Sequence, residues 1–356
     1  MAAEDVDDKG ISREELQLAA RNHGTPLEAL RHDITPLGLH YLLIHFDVPD
    51  VDSATWRLSV GGLVHRPLTL GLEELQTRAT VTMPVTMECA GNGRALLSPR
   101  PVSQPWLFEA VGTAEWTGTP LRPILEEAGL TEDATEILFT GIDRGIDGDI
   151  EQDYERSLAL DEAMREEVIL AYAMNGQPLL PQHGAPLRLV VPGWYGMTQV
   201  KWLRAITVLD RPFLGYQQAE AYRWRVDEDD EGRPVTRMLP RSLLVPPGIP
   251  DFFTRVRYVT ASTCLLEGRA WSGWGPIQRV EVSLDGGRTW RDASVGDPPA
   301  PHAWVPWTFD WKPEPGEHEV CSRATDASGR TQSVDAAWNL KGYSNNAVQK
   351  VKVIVR

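Results

Sequence analysis

The sequence comprises 356 residues, of which 42% are hydrophobic and 24% charged, and its formal net charge is −15 at pH 7. This balance is typical of a globular protein with room for two domains. The negative charge argues against nucleic acid and anionic membranes as general partners. No apolar run approaches the roughly 20 residues that cross a bilayer. Residues 1–10 are acidic, with neither the apolar core of a signal peptide nor a twin arginine, so we expect a cytoplasmic protein.

The predicted elements divide the chain into three parts. Residues 1–35 are polar and helix-prone, which predicts an N-terminal helical or extended segment. Strands and helices then alternate irregularly over residues 36–240, a pattern that indicates a mixed α and β domain. The apolar patterns predict strands at 39–46, 56–63, 81–87, 136–140, 168–173 and 187–191, and helices at 70–77, 119–128 and 160–167.

The composition changes near residues 226–250, where acidic residues and prolines are typical of a linker. Beyond it the patterns predict short strands, including a hairpin that turns at residues 285–287. About seven strands in roughly a hundred residues indicate an immunoglobulin-like β-sandwich over 250–356. The predicted fold class is therefore α+β, with a central mixed domain followed by a sandwich.

The three cysteines are Cys89, Cys264 and Cys321, and none belongs to a C-x-x-C pair. That spacing excludes a zinc ribbon, a thioredoxin motif and a c-type haem. Cys264 and Cys321 lie in apolar, strand-like sequence and are interpreted as inert core residues. Cys89 is different, because it follows a predicted strand and precedes a glycine-rich turn.

The turn after Cys89 contains Gly91 and Gly93, which allow positive φ angles and a close approach of the main chain to a ligand. Arg94 places a fixed charge near the thiol, and we expect it to lower the thiol pKa. These residues alone indicate a reactive or metal-binding cysteine. A Cys–His nucleophile and a buried structural cysteine both remain open.

The segment 88–94 (ECAGNGR) resembles the cysteine loop of the sulfite oxidase family of molybdenum-cofactor oxidoreductases, in particular the haem-free bacterial type. Further segments resemble the family in the same order along about 300 residues. They are 171–179 (AYAMNGQPL), 183–188 (HGAPLR), 191–193 (VPG), 201–203 (KWL), 281–287 (EVSLDGG) and 338–340 (WNL).

The resemblance implies a molybdenum–pyranopterin cofactor, also called molybdopterin, whose metal is bound by two dithiolene sulfurs and by the thiolate of Cys89. It also implies that the chain carries no haem. The positions that match cofactor contacts in the family are His45, Cys89, Asp143, Ser157, His183, Arg188 and Lys201. On their own, His45 would be interpreted as a core histidine, His183 as a turn residue and Arg188 as a surface residue.

Around the substrate, the resemblance assigns Arg94 to the oxyanion, Trp106 to the pocket wall and Tyr222 to the active-site tyrosine, with Tyr216 as the alternative. Trp106 could equally be an ordinary core residue. One departure concerns Leu43, which stands where the family has an arginine that binds sulfite. The resemblance therefore leaves the substrate open.

The expected function is oxygen-atom transfer that oxidises sulfite or a related small sulfur compound. Reduction of an S- or N-oxide at the same centre is the enzymatic alternative, and a cofactor carrier or binding module is the non-enzymatic one. The expected partners are a small oxyanion substrate, a separate electron acceptor (a cytochrome or oxygen) and a second copy of the chain. We expect a homodimer through residues after about 250, because seven of the thirteen tryptophans lie there.

Overall fold

The computed structural model describes residues 10–356, and predictions for residues 1–9 lie outside it. The first helix is Arg13–Arg21, which begins with a capping box between Ser12 and Glu15. Two short 3-10 turns, Leu27–Arg31 and Leu37–Leu39, lead into the central domain. In residues 10–356 no helix is both long and apolar enough to cross a membrane.

The central domain contains two five-stranded sheets. The first, which we call the hairpin sheet, has one parallel pair, and the second, the cysteine sheet, is antiparallel throughout. In spatial order the hairpin sheet contains Leu68–Leu70, Leu58–Gly62, Leu203–Leu209, Glu136–Asp147 and Ile150–Ala159. The cysteine sheet contains Val81–Glu88, Val111–Pro120, Ile169–Met174 and Gln177–Pro178, with Arg188–Val190 also paired to Ile169–Met174.

Three short helices complete this domain. Leu121–Ala128 buries Leu121, Ile124, Leu125 and Ala128 and stops at Gly129, whose φ is 69°. The predicted helix and its glycine stop are confirmed there. The other two helices are Leu72–Gln76 and Leu160–Ala163.

The C-terminal domain is the predicted β-sandwich, with a four-stranded and a six-stranded sheet rather than about seven strands. A separate two-stranded ribbon, Arg223–Trp224 with Arg233–Pro234, precedes it. The four-stranded sheet contains Arg241–Leu244, Cys264–Trp271, Val305–Trp311 and Ser294–Val295. The six-stranded sheet contains Ile249–Pro250, Arg257–Val259, Val351–Val355, Gly316–Asp326, Ile277–Ser283 and Arg291–Asp292.

Several sequence predictions differ from the structure. The predicted strand at 39–46 is wrong: this segment forms only an isolated bridge between Leu42 and His23. Its apolar residues line a cavity instead of a sheet face. The helix predicted at 160–167 is only four residues long.

Two further differences concern strand boundaries. The strand predicted at 136–140 extends to Asp147 and pairs with a strand that was not predicted, turning at Gly148 and Asp149. The stretch 226–250, interpreted as a linker, contains the fully buried strand Arg241–Leu244. The strand Ile150–Ala159 is rich in charged residues, so it lacks the apolar pattern by which strands are predicted from sequence. The α+β class itself is confirmed, with strands predominating.

Candidate functional site

Cys89 lies directly after the strand Val81–Glu88, where the chain turns back toward a 3-10 turn at Arg94–Leu96. Its side chain is buried, and its amide donates to the carbonyl of Ala110 over 2.9 Å. Gly93 has a φ of 91°, as the glycine-rich turn predicts. A Cβ at Gly91 would lie 2.7 Å from the Arg94 guanidinium, so a larger residue there would displace that side chain.

Two cavities meet at Cys89. We call the one bordered by His40 and His183 the histidine cavity, and the one bordered by Trp106 the tryptophan cavity. The residues that border both cavities are Leu43, His45, Cys89 and Tyr222. A group bound in the histidine cavity would therefore reach the same thiol as a molecule entering from the tryptophan cavity.

Six of the seven predicted cofactor residues border the histidine cavity, and the four besides His45 and Cys89 come from separate segments. They are Asp143 on the strand Glu136–Asp147, His183 at the end of a 3-10 turn, Arg188 at the start of a strand, and Lys201 in the loop before Leu203–Leu209. The peptide bond before Pro186 is cis, in the loop between His183 and Arg188. The cavity thus depends on the tertiary fold rather than on one local motif.

The guanidinium of Arg188 is buried and is held mainly by main-chain oxygens. It donates to the carbonyls of His183 (3.1 Å) and Gln199 (3.3 Å), and it stacks over the Trp116 ring at 4.7 Å. Its Nε has no hydrogen-bond partner in residues 10–356. Burial lowers the pKa of Arg188 to about 10, so the group remains a cation at neutral pH.

Two histidines lie next to each other in this cavity, with ring centroids 5.9 Å apart. Burial lowers the pKa of His40 to about 4 and that of His183 to about 2, so both rings are neutral at pH 7. His40 Nε2 has no partner among the described residues. Sequence reasoning missed His40, which lies in the apolar segment where only His45 was selected.

Asp143 and Lys201 form a buried pair of opposite charge. Burial raises the pKa of Asp143 to about 6, while Lys201 opposes that shift. Burial also lowers the pKa of Lys201 to about 7, and its ammonium donates to the carbonyls of Leu43 (2.8 Å) and Gln182 (3.2 Å). One carboxylate oxygen of Asp143 has no hydrogen-bond partner in the described part of the chain.

Three residues that border this cavity carry a buried polar atom without a partner in residues 10–356: His40 (Nε2), Asp143 (Oδ1) and Arg188 (Nε). A buried polar atom without a partner costs roughly 1–3 kcal/mol, and native proteins keep few of them. Three such atoms on one cavity indicate a ligand that carries both donors and acceptors. The buried guanidinium of Arg188 would also favour an anionic group on that ligand.

The tryptophan cavity combines Arg94 with apolar and aromatic walls. Arg94 Nε donates to the carbonyl of Lys341 (2.7 Å), and Nη1 donates to the hydroxyl of Ser103 (2.9 Å). The indole nitrogen of Trp106 is buried and unpartnered in residues 10–356. Leu43 borders the cavity as well, so this position presents a hydrocarbon side chain at the site.

Arg94 lowers the pKa of the Cys89 thiol, as predicted, but it does not set the net direction of the shift. Burial raises the pKa of the Cys89 thiol, and Glu88 acts in the same direction. Arg94 and the amide of Gly91 favour the thiolate, but burial outweighs them. A cation bound at the sulfur would be needed to hold the thiolate.

The structure separates the two tyrosine candidates. Tyr222 is buried, borders both cavities and stacks on Tyr343 with ring centroids 4.9 Å apart. Tyr216 borders only the tryptophan cavity. The geometry favours Tyr222 as the tyrosine beside Cys89.

The two remaining predicted cofactor residues, His45 and Ser157, differ in their relation to the cavities. His45 borders both cavities, and its Nε2 lies 3.5 Å from the carboxylate of Asp147. Ser157, in contrast, borders neither cavity, and its hydroxyl donates to Glu136 on the neighbouring strand. The geometry does not bring Ser157 to either cavity, and its assignment as a cofactor contact stays a prediction.

Behind the cysteine loop lies a buried ion pair that sequence reasoning did not find. Glu88 Oε1 is 3.0 Å from Arg241 Nε, and Glu88 Oε2 accepts from the Trp271 indole at 2.9 Å. Asn92, inside the loop, also donates to Glu88 at 3.0 Å. Because Arg241 and Trp271 belong to the sandwich, this pair joins the two domains next to Cys89.

Family models match most of the chain: residues 45–217 match the oxidoreductase molybdopterin binding domain, and residues 250–356 match the Mo-co oxidoreductase dimerisation domain. An NADH nitrate reductase from Hordeum vulgare is 33% identical over 366 residues, covering 93% of this chain and 40% of that protein. Mitochondrial sulfite oxidase from Homo sapiens is 33% identical over 358 residues, covering 94% of this chain and 64% of that protein. The chain thus spans less than two thirds of these relatives.

A solved structure is similar over nearly the full length. The sulfane dehydrogenase SoxCD from Paracoccus pantotrophus aligns with a TM-score of 0.79 and 27% sequence identity, covering 98% of this chain and 92% of that one. The cysteine loop, the two central sheets and the sandwich agree with both family models. The chain belongs to the sulfite oxidase family of molybdenum-cofactor oxidoreductases.

Proposed function

We propose that this protein uses a molybdenum–pyranopterin cofactor to oxidise sulfite, or a related small sulfur compound, by two-electron oxygen-atom transfer. The observation that carries the proposal is the position of Cys89. Its thiol lies where a cavity with unpartnered polar atoms meets a cavity with Arg94 at its wall. The names of two relatives, a sulfite oxidase and a sulfane dehydrogenase, support a sulfur compound as the substrate.

The residues of the histidine cavity fit the cofactor. Arg188 supplies positive charge for its phosphate, and that anion would also favour the protonated form of Lys201. The neutral rings of His40 and His183 supply hydrogen-bonding nitrogens for its pterin. When bound, the cofactor supplies a metal that exchanges two electrons and an oxygen atom. Cys89 would bind that metal as a thiolate, releasing its proton on binding.

On the substrate side, each residue has a role that its position allows. Arg94 is fixed by main-chain and side-chain acceptors, so its charge is preorganised to attract an anion without a conformational change. Trp106 borders the cavity and limits the access of water. The Tyr222 ring lies next to Cys89 at the cavity, and its hydroxyl can hold a proton near the sulfur atom of the substrate. We propose that the electrons leave to a separate acceptor, either a cytochrome or oxygen.

Reduction of an N- or S-oxide at the same centre is the second candidate. The 33% identity to an NADH nitrate reductase favours it, because that identity extends over 93% of this chain. The two candidates differ in the direction of electron flow. They can therefore be separated by choosing a chemical electron acceptor or a chemical electron donor.

The test begins with the purified protein. We expect about one molybdenum and one pterin per chain, and no haem absorption band. Turnover with sulfite and ferricyanide would support oxidation, whereas turnover with nitrate and reduced methyl viologen would support the second candidate. Protein that holds stoichiometric molybdenum yet turns over neither substrate class would contradict the proposed enzyme and favour a cofactor carrier.

Leu43 allows a prediction about sulfite itself. A charge-assisted hydrogen bond contributes roughly 1.5–3 kcal/mol, so a site without one binds its anion roughly one to two orders of magnitude more weakly. Since Leu43 borders both cavities, an arginine there would reach the substrate side. We expect Leu43→Arg to lower the KM for sulfite about tenfold or more. Leu43→Met, which adds length without charge, is the matched control.

A micromolar KM in the wild-type protein that Leu43→Arg leaves unchanged would show that another group already binds the anion. In that case Leu43 would have only a packing role. A less charged sulfur compound would then lose its support as the substrate.

We also propose a homodimer, since residues 250–356 match a dimerisation domain. Of the seven tryptophans in this part of the chain, Trp271, Trp304, Trp307 and Trp311 are buried inside the protomer, whereas Trp274 is 40% exposed, so the tryptophan content supports an interface only in part. Exposed Phe252 (78%) and Phe253 (89%) offer apolar area there as well. Light scattering at micromolar concentration should give twice the 39.7 kDa chain mass. A monomer under those conditions would refute the dimer.

A further inference from the structure

Arg156 is a buried cation without a counter-ion. It lies on the strand Ile150–Ala159 and is 2% exposed. Its Nη1 donates to the carbonyl of Gln217, and its Nε has no hydrogen-bond partner in the part of the chain that the structure describes. In residues 10–356 no carboxylate oxygen lies within 4.0 Å of a guanidinium nitrogen of Arg156, the distance that defines an ion pair. Arg144, on the other strand of the same hairpin, pairs instead with Glu151 and Asp153.

The guanidinium faces the active-site tyrosine. Its carbon lies 5.4 Å from the centroid of the Tyr222 ring, and Tyr222 in turn stacks on Tyr343. On the other tyrosine, the Arg94 guanidinium lies 5.1 Å from the Tyr343 centroid. Two arginines and two tyrosines therefore form a continuous chain of contacts, in which both tyrosines and Arg94 border the tryptophan cavity.

Placing an unpaired cation in the protein interior is costly, and an aromatic face offsets only part of that cost. Burial lowers the pKa of Arg156, yet a guanidinium stays charged at neutral pH. No negative charge in the described residues lies close enough to pair with this guanidinium, so a bound anion would be the first group to neutralise it. Tyr222, Tyr343 and Arg94 all border the tryptophan cavity, whereas only Tyr222 of this chain of contacts borders the histidine cavity, so an anion in the tryptophan cavity lies beside most of the chain.

We propose that Arg156 is a positioning residue of the substrate site, which holds the Tyr222 ring and adds positive potential to the tryptophan cavity, so that the site selects a small oxyanion. This inference rests on the proposed function and refines it. Leu43 carries no charge and cannot attract an anion. Arg156, which lies behind the Tyr222 ring, supplies part of that attraction instead. The selected ligand class is a compact anion such as sulfite or sulfate rather than a neutral S-oxide.

The test compares Arg156→Met with Arg156→Lys. A unit charge at roughly 8 Å in an effective dielectric of about 20 changes anion affinity by about tenfold or more. We therefore expect Arg156→Met to raise the KM for sulfite roughly tenfold, with kcat changed by less than about threefold. Sulfate affinity, measured by calorimetry on the cofactor-loaded protein, should weaken by a similar factor. Arg156→Lys should retain most of both.

Thermal unfolding supplies an independent readout. Replacing an unpaired buried cation by an apolar side chain of similar size is often neutral or stabilising, so Arg156→Met should keep or raise the unfolding temperature. Arg144→Met is the matched control, because it removes the same charge from the same hairpin at a solvent-exposed, paired site. We expect that control to leave the KM and the sulfate affinity unchanged.

The outcomes separate the inference from the proposed function. A wild-type protein without turnover of any sulfur anion would refute the proposed function. An active wild type combined with an Arg156→Met variant of lowered unfolding temperature, unchanged KM and unchanged sulfate affinity would overturn only the role of Arg156. An Arg144→Met variant that raises KM as much as Arg156→Met would also overturn it, because the effect would then follow net charge.

Discussion

Cys89→Ser is expected to remove most turnover while leaving the cofactor in place. Several residues, among them Arg188, Lys201 and the two histidines, border the cavity proposed for the pterin. The loss of one bond at the metal should therefore not release the cofactor. Serine is nearly isosteric but supplies a hard oxygen in place of a soft sulfur. Changes to groups that merely support a metal ligand cost about 10–100-fold in activity or metal affinity, and loss of the ligand itself should cost roughly a hundredfold or more.

The measurement is kcat together with molybdenum and pterin content for each variant. Cys321→Ser is the matched control, because Cys321 is equally buried but lies in the sandwich away from both cavities. The control should keep its activity once folded. Full activity in Cys89→Ser would exclude Cys89 as a functional metal ligand, and loss of the cofactor without loss of fold would show that the thiolate is the main anchor.

The sequence allowed the cysteine loop to be predicted because its signals are local. A strand that ends at a cysteine and continues into two glycines requires a turn, and the structure shows that turn with a positive φ at Gly93. Similar local signals explain the success at the helix Leu121–Ala128, which has amphipathic spacing and a glycine stop. Patterns of this kind depend on neighbours in the chain rather than on the tertiary fold.

The remaining parts of the site could not be predicted from local patterns. His40 and Arg156 acquire their surroundings from segments far away in the sequence, such as His183 for His40 and Tyr222 for Arg156. The apolar run at 39–46 was interpreted as a strand because lining a cavity and covering a sheet face require the same kinds of residue. The raised thiol pKa of Cys89 likewise follows from burial, which the charge of Arg94 alone did not reveal.

The second large effect is expected at Glu88, whose carboxylate joins the cysteine loop to the sandwich. Both partners of the Glu88–Arg241 pair are almost completely buried, with side-chain exposures of 1% and 2%. Glu88→Gln keeps the shape and the hydrogen-bond acceptor but leaves Arg241 as an unpaired interior cation. Breaking a buried pair in this way typically costs about 3–5 kcal/mol, a large fraction of the stability of an ordinary domain.

Denaturant unfolding of Glu88→Gln should therefore show a lower midpoint, and activity should fall with it, because Asn92 of the cysteine loop also binds Glu88.

The double variant Glu88→Gln/Arg241→Gln removes both charges and should recover most of the lost stability. No unpaired charge then remains in the interior, and the two amide side chains can hydrogen-bond to each other. Glu126→Gln, which breaks an exposed pair with Arg122, should leave the midpoint unchanged. A double variant that is less stable than Glu88→Gln would mean that the loop depends on the charges themselves, and then the attraction between Glu88 and Arg241 outweighs the cost of burying both.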